Sequence, residues 1–100
     1  MTVRISRGQF DPRHAAQVAA VLADGEAALR EAIVGLSGLR AFHAAIDLEA
    51  GSVVNVSVWD TLEDARQMDT LPEMRAQRGP VEAAGVTFET VLNYETLWSM

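Results

Sequence analysis

The chain contains neither cysteine nor lysine. Without cysteine there is no disulfide framework and no thiolate metal site. The two histidines, His14 and His43, are separated by most of a helix and a strand and have no familiar ligand spacing, so no metal is expected. All eight basic residues are arginines scattered along the chain, against fourteen Asp and Glu, for a net charge of −6. That pattern offers no basic patch to neutralise phosphates and argues against nucleic acid as a partner. No apolar run approaches the roughly 18 residues that span a bilayer, and MTVRISRG lacks the apolar stretch of a signal peptide. The expected location is the cytoplasm, with no membrane partner. There is also no linker, repeat or low-complexity segment. What is present is 100 residues, about half of them apolar, which reads as one domain over residues 1–100. A chain of this size buries about two-thirds of its unfolded surface on folding, so burial against a second copy would add useful stability.

The clearest stretch is Ser52 to Glu63, SVVNVSVWDTLE, which reads as a strand running into a helix. Alternation puts Val54, Val56 and Val58 on one face and Val53, Asn55, Ser57 and Trp59 on the other. Thr61 with Asp64 three residues on matches a helix N-terminus. Upstream, Thr2 to Gln9 alternates Val3 and Ile5 against Arg4 and Ser6 and predicts a short, half-buried strand. Asp11-Pro12 predicts a helix start. The stripe Ala15, Val18, Leu22, Gly25, Leu29, Ile33 and Leu36 then predicts a long amphipathic helix, with a kink or a close approach to another backbone at Gly25 and an exit bracketed by Gly35 and Gly38. Leu39 to Asp47 predicts a second strand, joined to Ser52 by the turn Leu48-Glu49-Ala50-Gly51. Downstream, Leu62, Ala65 and Met68 predict a short helix. A second cap at Thr70 and Glu73, with Pro72 in the first turn, restarts it, and the helical region is expected to end near Arg78-Gly79-Pro80. A last strand is predicted from Val86 to Leu97.

The order strand, helix, strand, strand, helix, strand is that of a ferredoxin-like α+β fold, a four-stranded antiparallel sheet with its helices on one face. The valine face of the third strand is expected to lie under the helices. Asn55, Ser57 and Trp59 would then look out from the sheet, and two copies facing each other would enclose a cavity in a dimeric α/β barrel.

The segment V-x-V-W-D-T-x-E-D-A from Val56 to Ala65, the long first helix, the Gly38-Leu39 entry to the second strand and the broken second helix together resemble the antibiotic biosynthesis monooxygenase domain family. The resemblance implies a homodimeric α/β barrel. Its anthrone-oxidising members use an Asn and a Trp four residues apart on the third strand and an Arg near the end of the second helix, which falls here on Asn55, Trp59 and Arg78. It further implies oxygenase chemistry without a cofactor: an aromatic or enolic substrate loses a proton, its anion passes an electron to O2, and the radicals recombine. Asn55, Trp59 and Arg78 are thus the candidate catalytic donors, while Ser57, His43, Met68 and Met74 are candidate substrate-binding residues for a small apolar or aromatic ligand. Haem degradation is disfavoured, because the positions of the family's second Trp and axial His fall on Met68 and Arg78, and an arginine offers iron no lone pair. Two alternatives stand beside the oxygenase: a non-catalytic dimeric module that binds a hydrophobic ligand, and isomerase or lactone chemistry, which would need His43 to face inward.

Overall fold

The computed structural model describes residues 1–100. Strand β1 (Thr2–Gln9) leads through a short 3-10 turn (Pro12–His14) into helix α1 (Ala15–Val34). The hairpin of β2 (Leu39–Asp47) and β3 (Ser52–Trp59) follows. Helix α2 (Leu62–Ala65) winds on as a 3-10 segment (Arg66–Thr70) into α3 (Pro72–Ala83), and β4 (Thr87–Phe88) and β5 (Leu92–Glu95) complete the chain. The antiparallel sheet runs β2-β3-β1-β4, with β5 also on the outer edge of β1. This is the expected α+β, ferredoxin-like arrangement, with an open sheet.

Local chemistry accounts for most of the element boundaries. The Asp11 carboxylate accepts the Arg13 backbone N–H at 3.0 Å and the Arg13 guanidinium at 2.6 Å. The side-chain bond to Arg13, followed by the backbone bond, holds this carboxyl below its ordinary value of 3.8. The cap therefore contributes stability above that pH and loses it as pH falls through the lowered folded-state value. Thr61 Oγ1 accepts the Asp64 N–H at 3.1 Å, as its spacing predicted. In the hairpin turn the Asp47 carboxylate accepts the N–H groups of Glu49 and Ala50. Gly38 turns the chain into β2 with φ +74; Gly35 is not needed for a left-handed turn, its φ being −89.

Two expectations about the second helical region are corrected. Thr70 and Glu73 form no capping box, because Thr70 still belongs to the 3-10 segment and α3 begins at Pro72 with no side-chain cap. Nor does α3 stop at Pro80. It runs to Ala83 because Val81 is buried in the core, and that packing carries the helix past the missing N–H.

The sheet contains two irregularities of one residue. Leu39 pairs with Trp59 but Ala41 with Val58, so Arg40 is extra and both Leu39 and Phe42 turn toward the helices. On the last strand, Phe88 pairs with Gly8 and Leu92 with Ile5. Counting between these pairs leaves Thr90 and Val91 opposite Ser6 alone, which is a β-bulge. The predicted strand Val86 to Leu97 is accordingly two short pieces, with Phe88 on the helix side and Leu92 and Tyr94 on the open side.

The helices cover the face of β3 opposite to the one expected. Val53 packs with Phe10, Val18, Val81 and Val86, and Trp59 packs with Ile33, Ala65 and Met68. Val54, Val56 and Val58 lie on the open face beside Val3 and Ile5. The indole, the largest side chain on the strand, is thus where the helices can enclose it.

Helix α1 is continuous through Gly25, and a side chain, not another backbone, makes the close approach there. The carboxamide of Gln77 from α3 sits against the Gly25 backbone, where a Cβ would collide with it, and its Nε2 donates to the Val21 carbonyl at 3.1 Å. Replacing a mid-helix glycine by alanine ordinarily gains about 1 kcal/mol. Here that gain is offset by loss of a hydrogen bond of similar size. Gly25→Ala alone should leave the denaturation midpoint nearly unchanged, whereas in a Gln77→Ala background it should stabilise by about 1 kcal/mol, as measured by a double-mutant cycle in urea.

Candidate functional site

Antiparallel pairing sets four polar side chains side by side on the covered face of the sheet. Arg4 lies opposite Ser57 and Ser6 opposite Asn55. On the other flank of β3, Phe42 lies opposite Ser57 and Ala44 opposite Asn55. This polar row separates the two apolar clusters of the core. Above it is a small cavity of about 30 Å3, with a floor of Arg4, Ser6, Asn55 and Ser57 and walls of Phe42, Met68 and Met74. A chamber this size holds about two water molecules at most. A ring compound enters only if Met68 and Met74 swing aside, which unbranched thioethers with three rotatable bonds do at low cost.

Arg4 is the dominant electrostatic feature. Its side chain is 9% exposed, and Nη2 donates to Asp69 Oδ1 at 2.8 Å, while Asp69 itself is about half exposed. Nη1 is buried without any partner. Alternation against Val3 and Ile5 makes Arg4 and Ser6 read as the solvent side of β1, and that hides the site in the sequence. The signal that could have found them is their spacing from Phe10, which shares their face and is buried.

The structure separates the residues singled out from the sequence. Asn55, Ser57, Met68 and Met74 come together around the cavity, inside one subunit and beneath its helices. The expected cavity between two facing sheets is thereby corrected, because the face carrying Asn55 and Ser57 is the covered one. Trp59 is 0% exposed and does not line the cavity, and its Nε1 donates to Ser57 Oγ at 2.8 Å. Its N–H is therefore committed, and its geometry is that of a residue positioning Ser57. Arg78 is on the outer side of α3 with its side chain 63% exposed; Nε donates to Glu82 at 2.7 Å and the guanidinium stacks over Phe88, 5.1 Å from the ring centroid. These contacts keep it outside the cavity. His43 pairs with Val56 on the open face and is exposed, so the inward orientation that isomerase chemistry required is not found.

No sequence family model and no curated protein sequence matches the chain. Solved structures do. A candidate antibiotic biosynthesis monooxygenase from Deinococcus radiodurans superposes with a TM-score of 0.74 at 20% identity, over 100% of this chain and 96% of that one. SnoaB, a cofactor-independent oxygenase from Streptomyces nogalater, superposes with a TM-score of 0.68 at 17% identity, over 99% and 95%. The fold is that of the antibiotic biosynthesis monooxygenases. A further candidate monooxygenase of this kind, from Nitrosomonas europaea, has a TM-score of 0.69 at 17% identity, over 98% and 100%. The resemblance carried by Val56 to Ala65 holds at the level of the monooxygenase fold over the full length of the chain.

The Ser57–Trp59 bond yields a stability test. Ser57→Ala strands a buried indole N–H and should cost about 1–3 kcal/mol. Once Trp59 is Phe, the same Ser57→Ala change should cost clearly less, because no donor is left unpaired. Chemical denaturation of the two single variants and the double variant measures the difference.

Proposed function

We propose that the chain is a cofactor-independent monooxygenase acting on a small aromatic or enolic compound in the cavity between its sheet and helices. The observation that carries this reading is the chamber itself, with hydrogen-bond donors on its floor and apolar walls, in a fold shared with an oxygenase that needs no cofactor. The substrate anion passes one electron to O2, and the resulting radical and superoxide join to form a carbon–oxygen bond. The peroxide then takes up a proton and loses water to leave a carbonyl. The Asn55 amide and Ser57 hydroxyl donate where negative charge develops, and apolar walls that exclude water strengthen those bonds. Trp59 acts through Ser57.

The dimer belongs to the same proposal with a changed role. The open face carries Val3, Ile5, Val54, Val56 and Val58, and Leu92 and Tyr94 are each 49% exposed beside them. A second copy would cover this apolar surface, leaving each subunit its own cavity. Val56→Asp, at the centre of that face, should convert the dimer to monomer in analytical ultracentrifugation, because the interface would have to bury an unpaired carboxylate.

A second reading, a binding module without chemistry, is favoured by one observation: among the residues lining the cavity there is no carboxylate, imidazole or phenol to take the substrate's proton. The two readings divide on O2 consumption with an anthrone or a hydroquinone. The oxygenase reading expects turnover that falls about a hundredfold in Asn55→Ala. A ligand that raises the melting temperature while O2 stays unconsumed supports the module instead.

A further inference from the structure

Arg4 is an expensive residue to place where it is. A guanidinium with its side chain nine-tenths buried loses most of its hydration, and one half-exposed carboxylate offsets only part of that loss. The unpartnered Nη1 adds a further penalty, since a buried donor left without an acceptor is unfavourable. An apolar residue of the same length would serve the core better. The remaining charges of the neighbouring elements do not fill the gap. Arg75 donates to the Asp69 backbone carbonyl at 3.3 Å, the Asp64 side chain is turned to Gly38, and Glu95 is one row away on the edge strand, opposite Thr2. Asp69 is the one acid bonded to Arg4, and the cavity that Arg4 lines contains no other ionisable group.

We infer that Arg4 binds the ligand as a preformed oxyanion, so that the compounds taken up are enols and phenols whose ionised form the guanidinium selects, with the anionic oxygen seated at Nη1. This rests on the cavity being the reaction site and narrows its substrate class. It also answers the missing base. The proton goes to bulk water as the anion forms, so no group in the cavity has to accept it. The bond made on entry is a charge-assisted N–H···O⁻ hydrogen bond, roughly twice as strong as a neutral one. Unactivated aromatic hydrocarbons are rejected because they would leave Nη1 unpartnered, and neutral ethers are disfavoured because their oxygen offers the guanidinium only a weaker, neutral acceptor. Asn55 and Ser57, on the same floor, are then free to follow the charge as it moves onto oxygen derived from O2.

The probe is 4-nitrophenol, whose phenolate is seen directly by its yellow absorbance, titrated into the full chain across a range of pH. The parent protein should bind the phenolate, and the bound dye should ionise at lower pH than the free dye. Arg4→Met should weaken phenolate binding on the order of ten- to a hundredfold while folding at least as stably, since Asp69 is left in water. Arg4→Lys should restore part of the binding. Asp69→Asn should tighten it, because the guanidinium loses its competing anion; a purely structural ion pair would make this variant behave like Arg4→Met. The inference is overturned if the parent binds no phenolate, if the dye is taken up neutral, or if Arg4→Met binds as well as the parent. O2 consumption is read separately. Phenolate binding through Arg4 with no O2 uptake from any acidic enol sinks the oxygenase reading and leaves Arg4 as an anion site. Turnover that persists in Arg4→Met does the reverse.

Discussion

The position of Trp59 is the constraint on which the covered side of the molecule depends. The indole is fully enclosed and its one polar atom is satisfied within the strand by Ser57. Because side chains alternate with a period of two, fixing one residue of β3 fixes them all, and a slip of one residue would turn the whole set over. β3 is paired on both edges, so the choice spreads across the sheet. Arg4 and Ser6 on β1 and Phe42 on β2 must share the side that Trp59 occupies. The cavity is assembled by register, from three strands that meet only in the folded sheet.

The same register divides the core. One apolar cluster is gathered around Val18 and Val81 and the other around Ile33 and Trp59, and the row containing Arg4, Ser6, Asn55 and Ser57 falls between them. A domain this small has little stability in reserve, of the order of 5–15 kcal/mol. Interrupting its core with polar groups is therefore a cost that packing alone does not explain. Places where local rules of foldability are broken in this way are where function is expected.

Much of the fold was legible because its signals are local. Asp11 and Thr61 each accept a backbone N–H two or three residues away, and the stripe on α1 from Ala15 to Ile33 matches the buried side of the helix. The grouping of Asn55 and Ser57 with Trp59 was also legible, as a matter of alternation. Which face the helices cover was not. Val54, Val56 and Val58 make one side of β3 apolar and Val53 and Trp59 the other, so hydrophobicity does not rank them. Arg4 was missed because an arginine between two β-branched residues reads as a solvent-facing side chain, and the carboxylate that makes its burial tolerable is 65 positions away. Arg78 was misplaced for the complementary reason: its distance along the chain suited the cavity, while its angular position on α3 sends it toward Glu82 and Phe88.

The extra residue on the last strand, Thr90 or Val91, has a consequence for how such a chain can vary. Without it, Phe88, Leu92 and Tyr94 would all point the same way; with it, one strand supplies an inner ring to the core and two outward side chains to the exposed sheet. The spacing between Phe88 and Leu92 thus works as a parity switch. An insertion or deletion of one residue at this point would exchange inside for outside in the strand residues that follow it.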